Sequence, residues 1–439
     1  MHVDLSFCRR EFPALSLHVN GQTAAYFDGP GGTQVPIRVI EAVERYYKEA
    51  NANSHGEFAT SRRTDEIIAA ARQAMANMLG AASADEIAFG ANMTTLNFAL
   101  SRALGRTLTS GDEIVITDLD HEANRSPWQA LAERGVVVRS VRVKVPECTL
   151  DYDDLERTIT TRTKIVALGY ASNAVGTIND VKRASSLAHA VGAVCVVDAV
   201  HYAPHGAIDV QDIGCDFLLC SAYKFFGPHI GVLYGRREAF ERLAAYKVRP
   251  QNSAPPYKIE TGTLNFEGIA GAIQAVEFIA SLGTAPGTAV QSSGNGGAAT
   301  TLGKRHDLAF GGSTHRSRIL DGMRAIDLHE RQLFSRLMEG LAAIPGLTVY
   351  GLPACAERTP TVSFTVEGER PVDVARFLGD RGIFVWHGDF YATTLIERLG
   401  LAERGGVVRV GLAPYNTDEE VDRLLSTLEE CSRRRGFAS

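Results

Sequence analysis

Six short runs of almost unbroken apolar residues, "EIAFG", "DEIVIT", "KIVALGYAS", "AVCVVDA", "DFLLCSAYK" and "IGVLYG", constrain this chain more than any other feature. Between them lie stretches of helical period such as "TDEIIAAARQAMANML" and "NDVKRASSLAHAV". A strand with one wet face alternates polar and apolar side chains, so a run apolar at every position must be covered on both faces. Such strands alternating with helices predict an α/β fold, a mainly parallel sheet with helices on both faces. Ligands of these sheets collect beyond the carboxyl ends of the strands. The residues to watch are those just after each run: Thr94 and Thr95, His121, Asn173, Asp198 and His201, and then Ser221, Tyr223 and Lys224.

From about Gly268 the pattern changes. A helical stretch, "GIAGAIQAVEFIASL", leads into a Gly/Ser/Thr-rich segment, about 283–314, which is expected to form a flexible insert. Beyond it come a long helix over about 317–344 and three strand candidates, "TVSFTV", "IFVWH" and "VVRVGL". The expected organisation is a large domain over 21–267 and a smaller α+β domain made of 1–20 and 268–439. The latter closes with a helix whose Thr417 and Glu420 have capping-box spacing.

Composition narrows the function. A formal net charge of -6 over 439 residues offers no basic footprint for nucleic acid, and the arginine clusters lie near the termini. The seven cysteines include no CxxC pair, so neither a zinc site nor a dithiol redox motif is expected. The start, "MHVDLSFCRREFPAL", lacks the apolar core of a signal peptide, and no apolar segment of about 18 residues follows. The expectation is a cytoplasmic enzyme acting on a small molecule, away from membranes.

The chemistry enters at "VVDAVHYAPHGAID", where the buried strand Ala193–Val197 ends on Asp198. An ionised carboxylate there is costly unless a cation or a set of donors meets it, and the protonated ring nitrogen of pyridoxal phosphate is one such partner. That cofactor also requires a lysine and donors for its phosphate. Lys224 follows directly on a strand and precedes a Gly-Pro turn, with Ser221 and Tyr223 beside it; Thr94 and Thr95 stand at a strand-to-helix junction, where free N–H groups and the helix dipole favour a phosphate. Singly, each has a plainer reading: a surface lysine, a helix cap, a turn acid.

Taken together, the stretch from "VVDAVHYAPHGAID" through "CSAYKFFGPHIGVLYG" resembles the cofactor-lysine segment of class V aminotransferases, in particular the cysteine desulfurase and selenocysteine lyase branch. The likeness continues through "YFDGPGGTQVP", "NANSHGEFAT", "TDLDHEANRSPW", "ASNAVGTIND" and "ETGTLNFEGIAG". It implies a fold-type I pyridoxal phosphate enzyme, a homodimer with sites at the subunit interface. Lys224 would be the Schiff-base lysine and Asp198 the partner of the pyridinium nitrogen. His121 would stack on the ring, Asn173 would bond the ring oxygen, and His201 would replace the glutamine usual near it. Thr95, Ser221 and Tyr223 would hold the phosphate, with Thr94 beside them and Thr263 reaching it from the other subunit. On the substrate side the resemblance implies Arg409 as the carboxylate fork; Tyr391 and His387, on the loop before it, and His55 are the other candidates for contact with the substrate.

One departure bears on the reaction. Desulfurases carry a nucleophilic cysteine on a loop shortly before the carboxylate-binding arginine, because a thiolate must take the substrate sulfur. Here that loop reads "VWHGDFYATTLIERLG", and Tyr391 stands in roughly that place. The expected activity is therefore a pyridoxal phosphate-dependent reaction of an α-amino acid without a persulfide, a lyase-type step at Cβ (elimination or decarboxylation, with or without carbon–carbon bond formation). The alternatives are an aminotransferase or an amino-acid epimerase and, from another class, an inactive cofactor-binding scaffold or sulfur-transfer partner. No GxGxxG or GxxxxGKS loop follows any strand, which argues against a nucleotide-binding protein.

Overall fold

The computed structural model describes residues 3–283 and 314–433, so the expected insert over 283–314 lies outside the described residues except at its two ends. All six apolar runs form strands of one sheet. Its strands are β1 (Ile87–Gly90), β2 (Glu113–Thr117), β3 (Val137–Val141), β4 (Thr163–Gly169), β5 (Val194–Asp198), β6 (Phe217–Ser221) and β7 (Gly231–Gly235), in spatial order β1-β7-β6-β5-β4-β2-β3. β7 runs antiparallel to β6 and β1, and the other pairings are parallel. Residues of β2, β6 and β7 are buried at every position, as unbroken apolar runs require. The seventh strand, β3, reads "VVRSV" and is largely open to solvent; as an edge strand it carries the mixed pattern that period alone does not detect.

The helices include α1 (Ile37–Glu49), α2 (Ala59–Leu79), α3 (Met93–Gly105), α4 (Phe266–Leu282) and α5 (His315–Ala343). α4 packs on α1, α2 and α5, and its Ile269, Ala272, Val276 and Ile279 share one core with the central sheet. The N-terminal Val3, Leu5 and Phe12 join the same core. Packing is thus continuous across the expected boundaries at 20 and 267. A second core begins further along α5: Ile319, Met323 and Ile326 face the first, whereas Leu333, Leu337 and Leu341 pack with Phe364, Val408 and Val410.

That second core backs an antiparallel sheet of β8 (Leu347–Tyr350), β9 (Thr361–Val366), β10 (Trp386–Gly388) and β11 (Val407–Gly411), ordered β8-β9-β11-β10. The run "IFVWH" splits: Ile383–Phe384 pairs with Ala25–Tyr26, and only then does β10 begin. The closing helix, Asp418–Arg433, starts from the expected box: Thr417 Oγ1 accepts from Glu420 N, and Glu420 Oε2 accepts from Thr417 N, both at 3.3 Å. Among the described residues no helix is long and apolar enough to cross a membrane.

Candidate active site

The carboxyl ends of β1, β2, β4, β5 and β6 surround a cavity of about 580 Å³. Nine residues singled out from sequence line it: Thr94, Thr95, His121, Asn173, Asp198, His201, Ser221, Tyr223 and Lys224. Asp198 is the last residue of β5, and its Oδ1 accepts one hydrogen bond, from Val200 N at 2.9 Å. Burial pushes its carboxyl up to about 6, against the opposing charge of Lys224. Lys224 closes a short turn after β6, and its Nζ donates to the Pro30 carbonyl. Burial, and then the positive charge of Arg409, bring its amine down to about 7, while Asp198 and Asp28 act the other way. An acid and a base whose values have moved toward each other at one strand edge mark a site built for proton chemistry.

The other walls follow from local structure. His121 caps the turn Glu122–Asn124; its Nδ1 accepts from Ala123 N at 2.9 Å, which fixes the proton of the neutral ring on Nε2. Burial, with Lys224 and Arg409, depresses this imidazole to about 4, so it presents an uncharged face to the cavity. At the start of α3, Asn92 Oδ1 accepts from Thr95 N at 2.9 Å and from Thr95 Oγ1 at 3.0 Å, while Ser221 Oγ accepts from Met93 N at 3.0 Å. β7 passes so close beneath this helix end that a Cβ on Gly231 would lie 2.5 Å from the Asn92 backbone, which explains the glycine. Asn173 Nδ2 donates to Phe390 O at 2.9 Å; His201 Nε2 lies 3.1 Å from the hydroxyls of both Thr359 and Thr361. The remaining polar atoms of these two, Asn173 Oδ1 and His201 Nδ1, are buried without partners.

Arg409 reaches the same region from β11. Its Nη1 donates to Asn173 O at 3.0 Å, the guanidinium lies 4.1 Å from the Phe390 ring centre, and Nε is buried with no partner. Trp386 stands opposite Arg409 on β10, so the two share a face, whereas His387 stands opposite Val408, whose side chain enters the second core. His387 therefore occupies the face turned away from Arg409. Phe390 and Tyr391 both adopt left-handed backbone, φ 56° and 58°, an uncommon conformation for aromatic residues. The strain is held by Tyr391 N donating to Asp389 Oδ1 at 3.0 Å and Tyr391 O accepting from Glu122 N at 2.7 Å. The turn sends Phe390 inward under Arg409 and leaves the Tyr391 ring exposed, 5.3 Å from that of His121.

Two of the sequence candidates lie elsewhere. His55 and Thr263 line a separate cleft, where the His55 backbone N–H is held by the Asp65 carboxylate. Sequence reasoning passed over Asp120, whose Oδ1 accepts from Gly169 N at 2.7 Å in the cavity wall and which burial raises to about 7, and Asp28 in "YFDGPGG". Asp120 adjoins His121 in sequence, and Asp28 stands in a segment that carries the family likeness, so each had a signal. Cys355 is the one exposed cysteine, and it lines a different cavity from the main one. Among the described residues no cluster of His, Cys, Asp or Glu is placed to hold a metal ion.

This donor set fits pyridoxal phosphate: a buried acid short of partners, a depressed lysine, orphaned Asn173 and His201 atoms, and a helix N-terminus flanked by hydroxyls. Comparison with known proteins agrees. The model of the class-V aminotransferase family matches residues 25–320 and 319–424. A probable cysteine desulfurase of Halalkalibacterium halodurans is 31% identical over 436 residues, covering 96% of each chain, and a cysteine desulfurase of Pectobacterium carotovorum 32% over 444 residues, covering 98% of each. Among solved structures, the cysteine desulfurase of Thermococcus onnurineus superposes with a TM-score of 0.82 at 28% identity over 99% of each chain, and the cysteine desulfurase CsdA of Escherichia coli with 0.79 at 26% over 98% of each. The chain belongs to the class-V aminotransferases, the pyridoxal phosphate-dependent family that includes the cysteine desulfurases.

Proposed function

We propose that this chain is a lyase-type enzyme acting at Cβ of an α-amino acid and passing no sulfur through a cysteine of its own. The observation that carries this reading is the loop before Arg409, where a strained turn displays Tyr391 instead of a thiol while Lys224, Asp198 and Arg409 are all kept. Pyridoxal phosphate supplies an electron sink for carbanion chemistry at the substrate's Cα. Asp198 would hold a negative charge against the ring nitrogen, and His121 would offer its neutral face to the ring. Asn173 Oδ1 and His201 Nδ1 are free polar atoms that would meet the ring oxygen, and Thr95, Ser221 and Tyr223 would serve the phosphate. Lys224 would carry the cofactor, and its amine, when free, would take up and return a proton at Cα; burial and Arg409 lower that amine toward neutrality. Arg409 forks the substrate carboxylate, and Tyr391, beside His121, meets the substrate side chain.

Thr263 and His55 lie away from the cavity of their own chain, and this supports a homodimer in which each serves the neighbouring site. Exposed Ile37, Ile40, Tyr47 and Phe58 on α1 and before α2 offer apolar surface for such contact. Sedimentation is expected to give about twice 47.4 kDa. The deciding experiment incubates the purified enzyme with each common amino acid, following the visible spectrum together with keto acid, ammonia, sulfide and carbon dioxide. Keto acid appearing in step with an aminated cofactor would mean transamination and would overturn the lyase reading.

A further inference from the structure

The turn "DGPGG", Asp28 to Gly32, carries a carboxylate that the chemistry above leaves unused. The turn is wedged against the site from three sides. Its backbone closes on itself, with the Asp28 carbonyl accepting from Gly31 N at 2.7 Å, and Asp28 bridges to Gly411, two residues beyond Arg409 on β11. A Cβ on Gly411 would fall 2.2 Å from Pro30 Cγ, and one on Gly31 would fall 2.7 Å from Trp386 Nε1, so a side chain at either position would force its neighbour to move. From the third side Lys224 Nζ donates to the Pro30 carbonyl, and Thr33 N donates to Tyr223 O at 3.1 Å. Asp28 is thus fixed between the end of the Arg409 strand and the lysine.

Two atoms of opposite character are left over here. Asp28 Oδ1 is buried without a hydrogen-bond partner, and so is Arg409 Nε. A buried charged group normally finds its partner, and a pair of orphans with opposite charge marks a place kept for a third group. The charge of Asp28 is felt at both Arg409 and Lys224. An α-amino acid bears a carboxylate and an ammonium on one carbon, the complement of a guanidinium and a carboxylate that feel each other's charge without pairing.

We propose that Asp28 is the receptor for the substrate's α-ammonium, paired with Arg409 as receptor for the α-carboxylate, so that the incoming amino acid is read as a zwitterion and its nitrogen is delivered beside Lys224. The inference rests on Arg409 being the carboxylate fork. It assigns Asp28 a binding and orienting contact, an N–H···O hydrogen bond between opposite charges, with no transfer of its own. It also accounts for a carboxylate held in an apolar turn beside aromatic Tyr26 and Tyr415, which burial raises to about 6.

Calorimetric titration of the cofactor-loaded enzyme, its bond to Lys224 first reduced with borohydride so that no amine exchange can occur, with L-alanine and with propionate, which lacks only the amino group, separates the two receptors. Asp28→Asn is expected to weaken L-alanine about 10- to 100-fold, the loss of one charge-assisted bond, and to leave propionate within about twofold of wild type. Asp28→Ser repeats the test in case the first variant loses cofactor. Equal weakening of both probes, or failure of both variants to load cofactor, overturns the inference and makes Asp28 a structural acid. A wild-type enzyme that binds neither probe overturns the amino-acid reading itself, and this proposal with it.

Discussion

Asp198 and Asp216 are both buried acids belonging to the central sheet, one at its carboxyl edge and one at the opposite edge just before β6. Asp216 is saturated: Oδ2 accepts from Cys195 N at 2.8 Å and lies 2.8 Å from His189 Nε2, and Oδ1 takes the Arg236 guanidinium. Asp198 has one backbone donor and a carboxyl raised by burial. The arginines repeat the contrast. Arg72 grips Glu260 with two bonds of 2.8 and 2.7 Å and also donates to Ile87 O, whereas Arg409 has one carbonyl and an orphaned Nε. Identical side chains in one molecule are completed where they hold the fold and left incomplete where a ligand is to complete them.

The contrast breaks most easily at the incomplete edge. Lys224→Ala is expected to lower turnover by more than about 1,000-fold, since the group that carries the cofactor and moves the Cα proton is gone. Borohydride treatment of wild type, followed by peptide mapping, should find the cofactor on Lys224; label on another lysine would refute its role. Arg409→Lys keeps the charge but loses the fork, so catalytic efficiency should fall roughly 10- to 1,000-fold with cofactor absorbance near wild type. Arg72→Lys, by contrast, should act on stability rather than on efficiency per folded molecule.

The two acids should answer substitution with opposite sign when stability is measured in cofactor-free protein. Burial raises the Asp198 carboxyl from its ordinary 3.8 to about 6 in the folded chain, so between those values the native state binds more protons than the unfolded chain, and stability is lost as pH rises through that window. Above pH 6 the charged carboxylate is a liability without its partner. Asp198→Asn should therefore raise the denaturant midpoint at pH 7.5, by an amount equivalent to about 1–3 kcal/mol. At pH 4 the gain should be small. Asp216→Asn should lower stability by about 2–4 kcal/mol at pH 7.5, because His189, Cys195 N and Arg236 lose a charged acceptor. Destabilisation by both substitutions would erase the distinction.

The carboxyl-edge residues were legible because each follows an apolar run, and the parallel topology brings all such positions to one edge. That is how Asp198, Lys224, His121 and Asn173, from four separate segments, were assembled from order alone. β3 and β8 were missed since half-exposed strands such as "LTVY" lack a clean period. His387 was grouped with Tyr391 by proximity in sequence, and it is the register of β10, fixed by Trp386 facing Arg409, that turns it to the other face. Asp28 was passed over for a related reason: its place depends on Gly411 letting a distant turn press against β11, a contact that no local pattern encodes.

The smallest effect concerns the loop itself. Tyr391→Phe should change the ratio of efficiencies between two amino-acid substrates by only a few-fold, leaving cofactor binding unaltered, because the exposed hydroxyl makes no contact with the elements that hold the cofactor. A phenol cannot take up sulfane sulfur, and six of the seven cysteines are buried, with Cys8, Cys148 and Cys195 raised to about 12 by burial, which suppresses the thiolate that would have to attack. Sulfur released from a cysteine-like substrate should leave with the product, and alkylating the exposed Cys355 should not slow the reaction. Mass spectrometry after incubation with cysteine provides the test. A one-sulfur adduct on Cys355 that forms and is discharged to an acceptor thiol in step with turnover would return this chain to the chemistry of its desulfurase relatives, and would show that an arginine can keep its clamp while the thiol moves to another cavity.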